Sequence, residues 1–186
     1  MDDQTFSALF EGTRGVLLAY LRRAGGDEAL AEDLLQECYI RLLNHPPRIL
    51  DAVSSAGGEL PVGPVRRWLF TTATRLLRDH WRQDRWRSST RWEHGDEDGD
   101  AGTQPVAATP LPDRTLSGHE AVTVGFATLS PRQRSLLWLA SVEEFDHMEL
   151  ARLFHLSPGS VRVLLHRART RMEKALRALG MEGASW

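Results

Sequence analysis

The chain has 186 residues, 41% hydrophobic and 26% charged, a balance that excludes disorder throughout and a fibrous repeat. Its formal charge of −2 argues against a uniformly basic coat that would hold nucleic acid by charge alone. The single Cys38 excludes an intrachain disulfide and a Cys-based zinc site, the acidic start Met1-Asp2-Asp3-Gln4 is unlike a secretory leader, and no apolar run approaches the ~20 residues needed to cross a bilayer, so a cytoplasmic protein without membrane insertion is expected.

The charge is distributed in blocks. Residues 1–65 hold 5 Arg against 10 acids, residues 66–92 hold 8 Arg against Asp79 and Asp84, residues 93–120 hold Arg114 against 7 acids, and residues 121–186 hold 9 basic residues against 6 acids. A solvated mixed surface would give a similar balance in every window. The third block, from Glu93 to Leu116, also lacks large apolar residues, so it reads as a linker between two helical regions.

In the amino-terminal region, Phe6, Leu9, Phe10, Val16, Leu17, Tyr20 and Leu21 recur at three- and four-residue steps, predicting an amphipathic helix that Gly25-Gly26 ends. Asp27 is placed to cap a second helix. Leu30, Leu34, Cys38 and Leu42 are expected to be its buried face, and Pro46-Pro47 to stop it. Its remaining positions, Glu28, Glu32, Asp33, Gln36 and Glu37, make an acidic surface. Two readings stand: a solvated face favoured by the helix dipole, or a docking surface for a basic partner.

A loop rich in Gly, Pro and Ser runs from His45 to Pro64, and a third helix is predicted from near Val65. Trp68, Leu69, Thr72, Ala73, Leu76, Leu77 and His80 form its expected buried stripe. Arg66, Arg67, Arg75, Arg78, Arg82, Arg85 and Arg87 surround it, with Trp81, Trp86 and Trp92 among and beyond them. Cations neutralise phosphates while aromatic faces accept unstacked bases, each base contributing ~1–3 kcal/mol, so this mixture suits single-stranded or melting DNA.

In the carboxy-terminal region, Ser130-Pro131-Arg132-Gln133 carries an N-cap, a Pro at the first helical position and a Gln able to reach back. Asp146-His147-Met148-Glu149 repeats that chemistry. Ser157-Pro158 opens a last helix whose apolar positions Val161, Leu164, Leu165, Ala168, Met172, Leu176 and Leu179 run to Gly180. The segment 147–153, a turn at 154–156 and the helix from 158 form a helix-turn-helix. Its groove-entering residues are Pro158, Gly159, Ser160, Arg162, Val163, His166 and Arg167, of which Arg pairs with guanine edges and Val163 meets a thymine methyl. Arg169, Arg171 and Lys174 extend the basic outer face. Nothing in the sequence has metal-ligand spacing or a catalytic nucleophile in a recognisable setting, so neither an enzyme activity nor a cofactor is expected.

These segments resemble a known family. Ala31-Glu32-Asp33-Leu34-Leu35-Gln36-Glu37-Cys38-Tyr39-Ile40-Arg41-Leu42 is similar to the acidic second helix of extracytoplasmic-function (ECF) sigma factors, the small members of the sigma-70 family. Arg67-Trp68-Leu69-Phe70 with Ala73 resembles their promoter-melting helix. Leu129-Ser130-Pro131-Arg132-Gln133-Arg134 and Leu156-Ser157-Pro158-Gly159-Ser160-Val161-Arg162, continuing to Arg169, resemble their C-terminal helix-turn-helix.

The resemblance implies an all-α fold of two small helical domains: residues 1–92 as sigma region 2, an acidic flexible linker at 93–118, and residues 119–182 as sigma region 4. It implies that Glu32, Asp33, Leu35, Gln36 and Glu37 dock onto the clamp helices of the RNA polymerase core, built by the beta and beta-prime subunits. It further implies that the third helix and the loop after it melt and read the −10 element, that the last helix reads the −35 element, and that an anti-sigma factor holds the protein in check. Arg75 stands where the family usually has Asn, and Ser160-Val161-Arg162-Val163-Leu164 where Thr-Val-Lys-Ser-Arg is usual. The linker has two readings, a segment threading the polymerase channel or a plain tether. The other function considered is a stand-alone helix-turn-helix DNA-binding regulator, which leaves the exposed Trp residues without a use.

Overall fold

The computed structural model describes residues 3–47, 62–89 and 118–180. All regular structure among them is helical: α1 (Asp3–Gly25), α2 (Glu28–Asn44), α3 (Val62–Ser89), α4 (Gly118–Ala127), α5 (Pro131–Ser141), α6 (His147–Phe154) and α7 (Pro158–Ala178). The chain divides into two compact units, residues 1–87 and 88–186. The loop expected at 45–64 and the linker expected at 93–118 fall almost wholly outside the described residues.

In the first unit, α1 and α2 form a helical hairpin. Gly26 turns the chain at a φ of 77°, open to glycine at little cost, and its N–H bonds the Arg22 carbonyl at 2.9 Å. Asp27 then caps α2, its carboxylate accepting from the Leu30 N–H at 2.7 Å. At one end of the hairpin the Tyr39 ring lies edge-on to Phe6 and Phe10, and its hydroxyl meets Thr13 Oγ1 at 2.7 Å. Burial pushes the Tyr39 phenol above its ordinary pKa. Further along α1, the buried Tyr20 hydroxyl meets Thr74 Oγ1 of α3 at 2.7 Å, with its ring 5.3 Å from that of Phe70. Leu77 of α3 closes against Gly25. Thus α1 backs both other helices of the unit.

Two sequence expectations shift here. The interior stripe of α2 is Ala31, Leu35, Cys38, Tyr39 and Leu42, while Leu30 and Leu34 are half-buried. Helix α3 starts at Val62, three residues before the expected Val65, because Pro64 is tolerated in a first turn where its missing N–H has no helical acceptor. Its interior is Val65, Leu69, Phe70, Thr72, Ala73, Thr74, Leu76 and Leu77; Trp68 and His80 are only half-buried.

In the second unit, α4, α5 and α6 all pack on α7. The capping boxes expected from sequence are formed at both sites, Ser130 with Gln133 before α5 and Asp146 with Glu149 before α6. Helix α4 is an addition to the sequence reading, which placed its first helix start in this domain at Ser130. Its backbone approaches α7 closely at Gly125, where an added Cβ would lie 3.3 Å from Met172. The carboxyl end of α4 is held by Arg134: Nε donates to the carbonyls of Phe126 and Leu129, each at 2.9 Å, and Nη2 to that of Ala127 at 3.2 Å. Burial lowers the pKa of this guanidinium. Phe126 also meets Trp138 edge-on at 6.4 Å.

Candidate functional site

Three exposed surfaces carry the candidate residues, and the local sequence places each of them. On α2 the wide interior stripe leaves Glu32, Asp33 and Gln36 exposed and Glu37 half-buried. Arg22 forms an ion pair with Glu28 and lies 3.9 Å from Glu32. Arg41 Nε donates to Glu37 at 2.7 Å. Asp33 and Gln36 have no hydrogen-bond or ionic partner among the described residues. Leu35 does not belong to this surface: at 6% exposure it packs in the interior. Sequence reasoning missed Ile40 and Leu43, both half-exposed on α2. Ile40 lies four residues after Gln36 and Leu43 three after Ile40, the continuation of the step from Asp33 to Gln36, and that helical spacing is the signal that would have found them.

On α3, Arg75 and Arg82 are exposed and Arg66, Arg67 and Arg78 half-buried. The Arg66 guanidinium lies over the Phe70 ring at 5.6 Å. Arg82 pairs with Asp79, and His80 Nε2 is 3.0 Å from Asp84. These contacts orient the cations along the helix and moderate the block's positive charge. Trp81 is half-buried with its Nε1 shielded from solvent, so only part of the indole is available for stacking. Arg85, Trp86 and Arg87 lie in the last turns of α3, and their side chains fall outside the described residues, as does Trp92.

On α7 the separation is sharp. Val161, Leu165, Ala168, Met172 and Leu176 are buried, whereas Pro158, Gly159, Ser160, Arg162, Val163, His166 and Arg167 are all exposed. The helix is aimed by its start. Ser157 Oγ accepts from the Ser160 N–H at 3.0 Å, and Pro158 occupies the first turn. The turn before it closes on His155 in the left-handed region at φ 53°, with the Leu156 N–H reaching the Ala151 carbonyl at 2.8 Å. Arg171 Nη1 donates to Gln133 Oε1 at 3.4 Å, tying α7 to the capped start of α5. A helix end that projects cations and one apolar side chain from a support of three packed helices has the side-chain chemistry that a major groove of duplex DNA can accept.

Among the described residues no group of three or more His, Cys, Asp or Glu could hold a metal, and no helix is long and apolar enough to cross a membrane.

Residues 9–57 match the family model for sigma-70 region 2, and residues 120–172 the model for sigma-70 region 4; together the two span more than half of the chain. The chain is 29% identical over 174 residues to the ECF RNA polymerase sigma factor SigL of Mycobacterium tuberculosis, covering 94% of this chain and 90% of SigL. It is 28% identical over 179 residues to the RNA polymerase sigma factor CarQ of Myxococcus xanthus, covering 96% and 93%. The fold resembles that of the sigma factor RpoE solved with the anti-sigma factor NepR from Bartonella quintana, with a TM-score of 0.55 and 18% identity over 92% of this chain and 96% of that one. A stand-alone helix-turn-helix regulator would leave the match at residues 9–57 unexplained.

Proposed function

The chain belongs to the sigma-70 family as one of its extracytoplasmic-function members, and from that premise we propose how its surfaces divide the work of promoter-specific transcription initiation. Residues 1–92 dock on the RNA polymerase core through Glu32, Asp33, Gln36 and Glu37 of α2. The same domain melts and reads the −10 element along α3, through Arg66, Arg67, Arg75, Arg78, Arg82 and the residues that follow, with Trp81 in a secondary role. Residues 119–182 read the −35 element as duplex, using Ser160, Arg162, Val163, His166 and Arg167. The acidic stretch 93–118 joins the two and by its charge stays off DNA. The protein works in the cytoplasm, beside the polymerase and the promoter DNA, and contributes binding and strand opening rather than covalent chemistry. An anti-sigma factor that covers these surfaces fits the same reading.

The observation that carries the assignment is the outer face of α7: seven adjoining exposed positions on the first turns of a helix whose inner stripe is fully used in packing. Reconstituted transcription tests it. Chain and sigma-free core polymerase are combined on a candidate promoter, with Asp33→Lys and Arg162→Ala beside the parent. Asp33→Lys should abolish recruitment at moderate salt. Arg162→Ala should weaken the upstream footprint while leaving opening of a pre-melted bubble intact. A parent chain that never joins core and never starts a transcript refutes the assignment.

A further inference from the structure

Val163 is the outermost side chain in the first turns of α7. At about 100° per residue, the midpoint of the buried stripe Val161, Leu165, Ala168, Met172 and Leu176 lies half a turn away from it. It is also the one large apolar side chain that α7 leaves exposed, at 48%. One turn earlier stands Gly159, also exposed, where an added Cβ would meet nothing nearer than Ser157 Oγ at 3.8 Å. No packing inside the chain calls for glycine there, and what it leaves is a bare strip of backbone beside Val163 along which another surface can come close. The neighbouring Ser160 Oγ is held 2.8 Å from Ser157 Oγ, within the cap of the helix. From Pro158 to Met172, α7 carries no carboxylate. The exposed Arg167 follows Val163 by one turn, ~6 Å along the axis, or about two base-pair steps of DNA.

We propose that Val163 selects a pyrimidine by its C5 methyl group, whether the base is thymine or 5-methylcytosine, so that promoter choice responds to cytosine methylation in the upstream element. The inference rests on the reading of α7 as the helix that meets the −35 element and deepens it. In the major groove thymine and cytosine differ at two places: the methyl at C5, and an acceptor oxygen or a donor amine at C4. A carboxylate is the side chain that recognises the amine, and this part of α7 has none, so the methyl is left as the distinguishing group. Plain cytosine offers Val163 no apolar contact, whereas 5-methylcytosine offers the same one as thymine. The bare backbone at Gly159 lets the helix start sit deep enough for a side chain as short as valine to reach the methyl. Arg167 then falls opposite a guanine about two base pairs away, giving a methylpyrimidine and a guanine as a joint signal.

The test uses holoenzyme reconstituted from the full chain and sigma-free core polymerase, on duplex promoters selected from a pool randomised upstream of the −10 element. On both strands of the upstream element, uracil replaces each thymine in turn, which removes a methyl and nothing else, and 5-methylcytosine replaces each cytosine. At one position the methyl should strengthen binding about fourfold, as expected for one buried methyl group. At that position 5-methylcytosine should bind about fourfold more tightly than cytosine. Val163→Ala should erase both differences with a thermal midpoint no lower than the parent's, since Ala is the better helix former. Gly159→Ala should also fold normally and should shrink both differences by holding the helix off the groove floor. Parent binding that no methyl alters overturns the proposal while leaving the sigma reading intact. So does a methyl effect of equal size in Val163→Ala, which assigns the effect to DNA shape. A holoenzyme that protects no DNA upstream of the −10 element overturns the reading of α7 together with the proposal.

Discussion

Replacing Arg134 by Ala should loosen the whole second unit although Arg134 is not proposed to touch DNA. Its guanidinium supplies Nε and Nη2 to three carbonyls at the end of α4 and in the turn after it. Hydrogen bonds from a charged donor contribute ~1.5–3 kcal/mol each, and half-burial of the cation, which also lowers its pKa, offsets part of that. The net loss is about 2–3 kcal/mol, which converts to a roughly 30- to 150-fold increase in opening of the unit. Hydrogen exchange on the full chain measures it peptide by peptide. The amides around Leu165 and Ala168 of α7 should lose that much protection, and those around Cys38 of α2, in the other unit, should keep theirs. Arg134→Lys should recover only part of the loss, because an ammonium cannot hold the planar fork across two peptide groups. If α7 in Arg134→Ala exchanges at the parent's rate, the view of α4 as a clamped buttress is wrong.

Three further outcomes are expected. His155 holds φ 53° in the turn before α7, so His155→Gly should raise the thermal midpoint by relieving about 0.5–1 kcal/mol of backbone cost; a lowered midpoint would show that the imidazole contributes more than the strain. Burial pushes the Cys38 thiol from 9.0 up to about 12, so between those values the unfolded chain has lost a proton that the folded chain retains, and stability falls as pH rises. The parent's urea midpoint should therefore drop more than that of Cys38→Ala between about pH 8 and about pH 10.5, a difference near 2 kcal/mol, and parallel curves would contradict the burial. Tyr20→Phe should cost only about 1 kcal/mol by urea unfolding, because Thr74 Oγ1 keeps its bond to the Phe70 carbonyl at 2.7 Å and no buried group is left unpaired; a loss several times larger would mean that the ring has moved.

Much of this architecture can be read in the linear code where the signal is local. The two capping boxes, the Asp27 cap and the Ser157-Pro158 start depend on side chains three residues from the groups they bond, and each forms as expected. The exposed set on α7 was legible for a related reason, since its apolar stripe is narrow and regular. Helix α4 was not: Gly118, Gly125 and the β-branched run Val122-Thr123-Val124 disfavour a helix locally, and packing on Met172 together with the Arg134 clamp overrides that preference. On α2, stepping by fours from Leu30 reaches Cys38 and Leu42 of the true stripe but misses Ala31, Leu35 and Tyr39, through which it broadens. Leu35 was therefore assigned to the surface, and Ile40 and Leu43 went unnoticed. Only the arrangement of α1 behind α2 shows which leucines are inside.

Under the proposed reading of α7, its clean division into an inner and an outer face would make its specificity portable. Ser160, Arg162, Val163, His166 and Arg167 share no role with Val161, Leu165 and Ala168, so the outer set can be exchanged as a cassette on an unchanged scaffold. If the outer set reads the upstream element as proposed, retargeting is a matter of five surface codons. The first unit offers no such freedom, because α1 stands behind both α2 and α3, and any graft of its activities has to carry the backing helix with it.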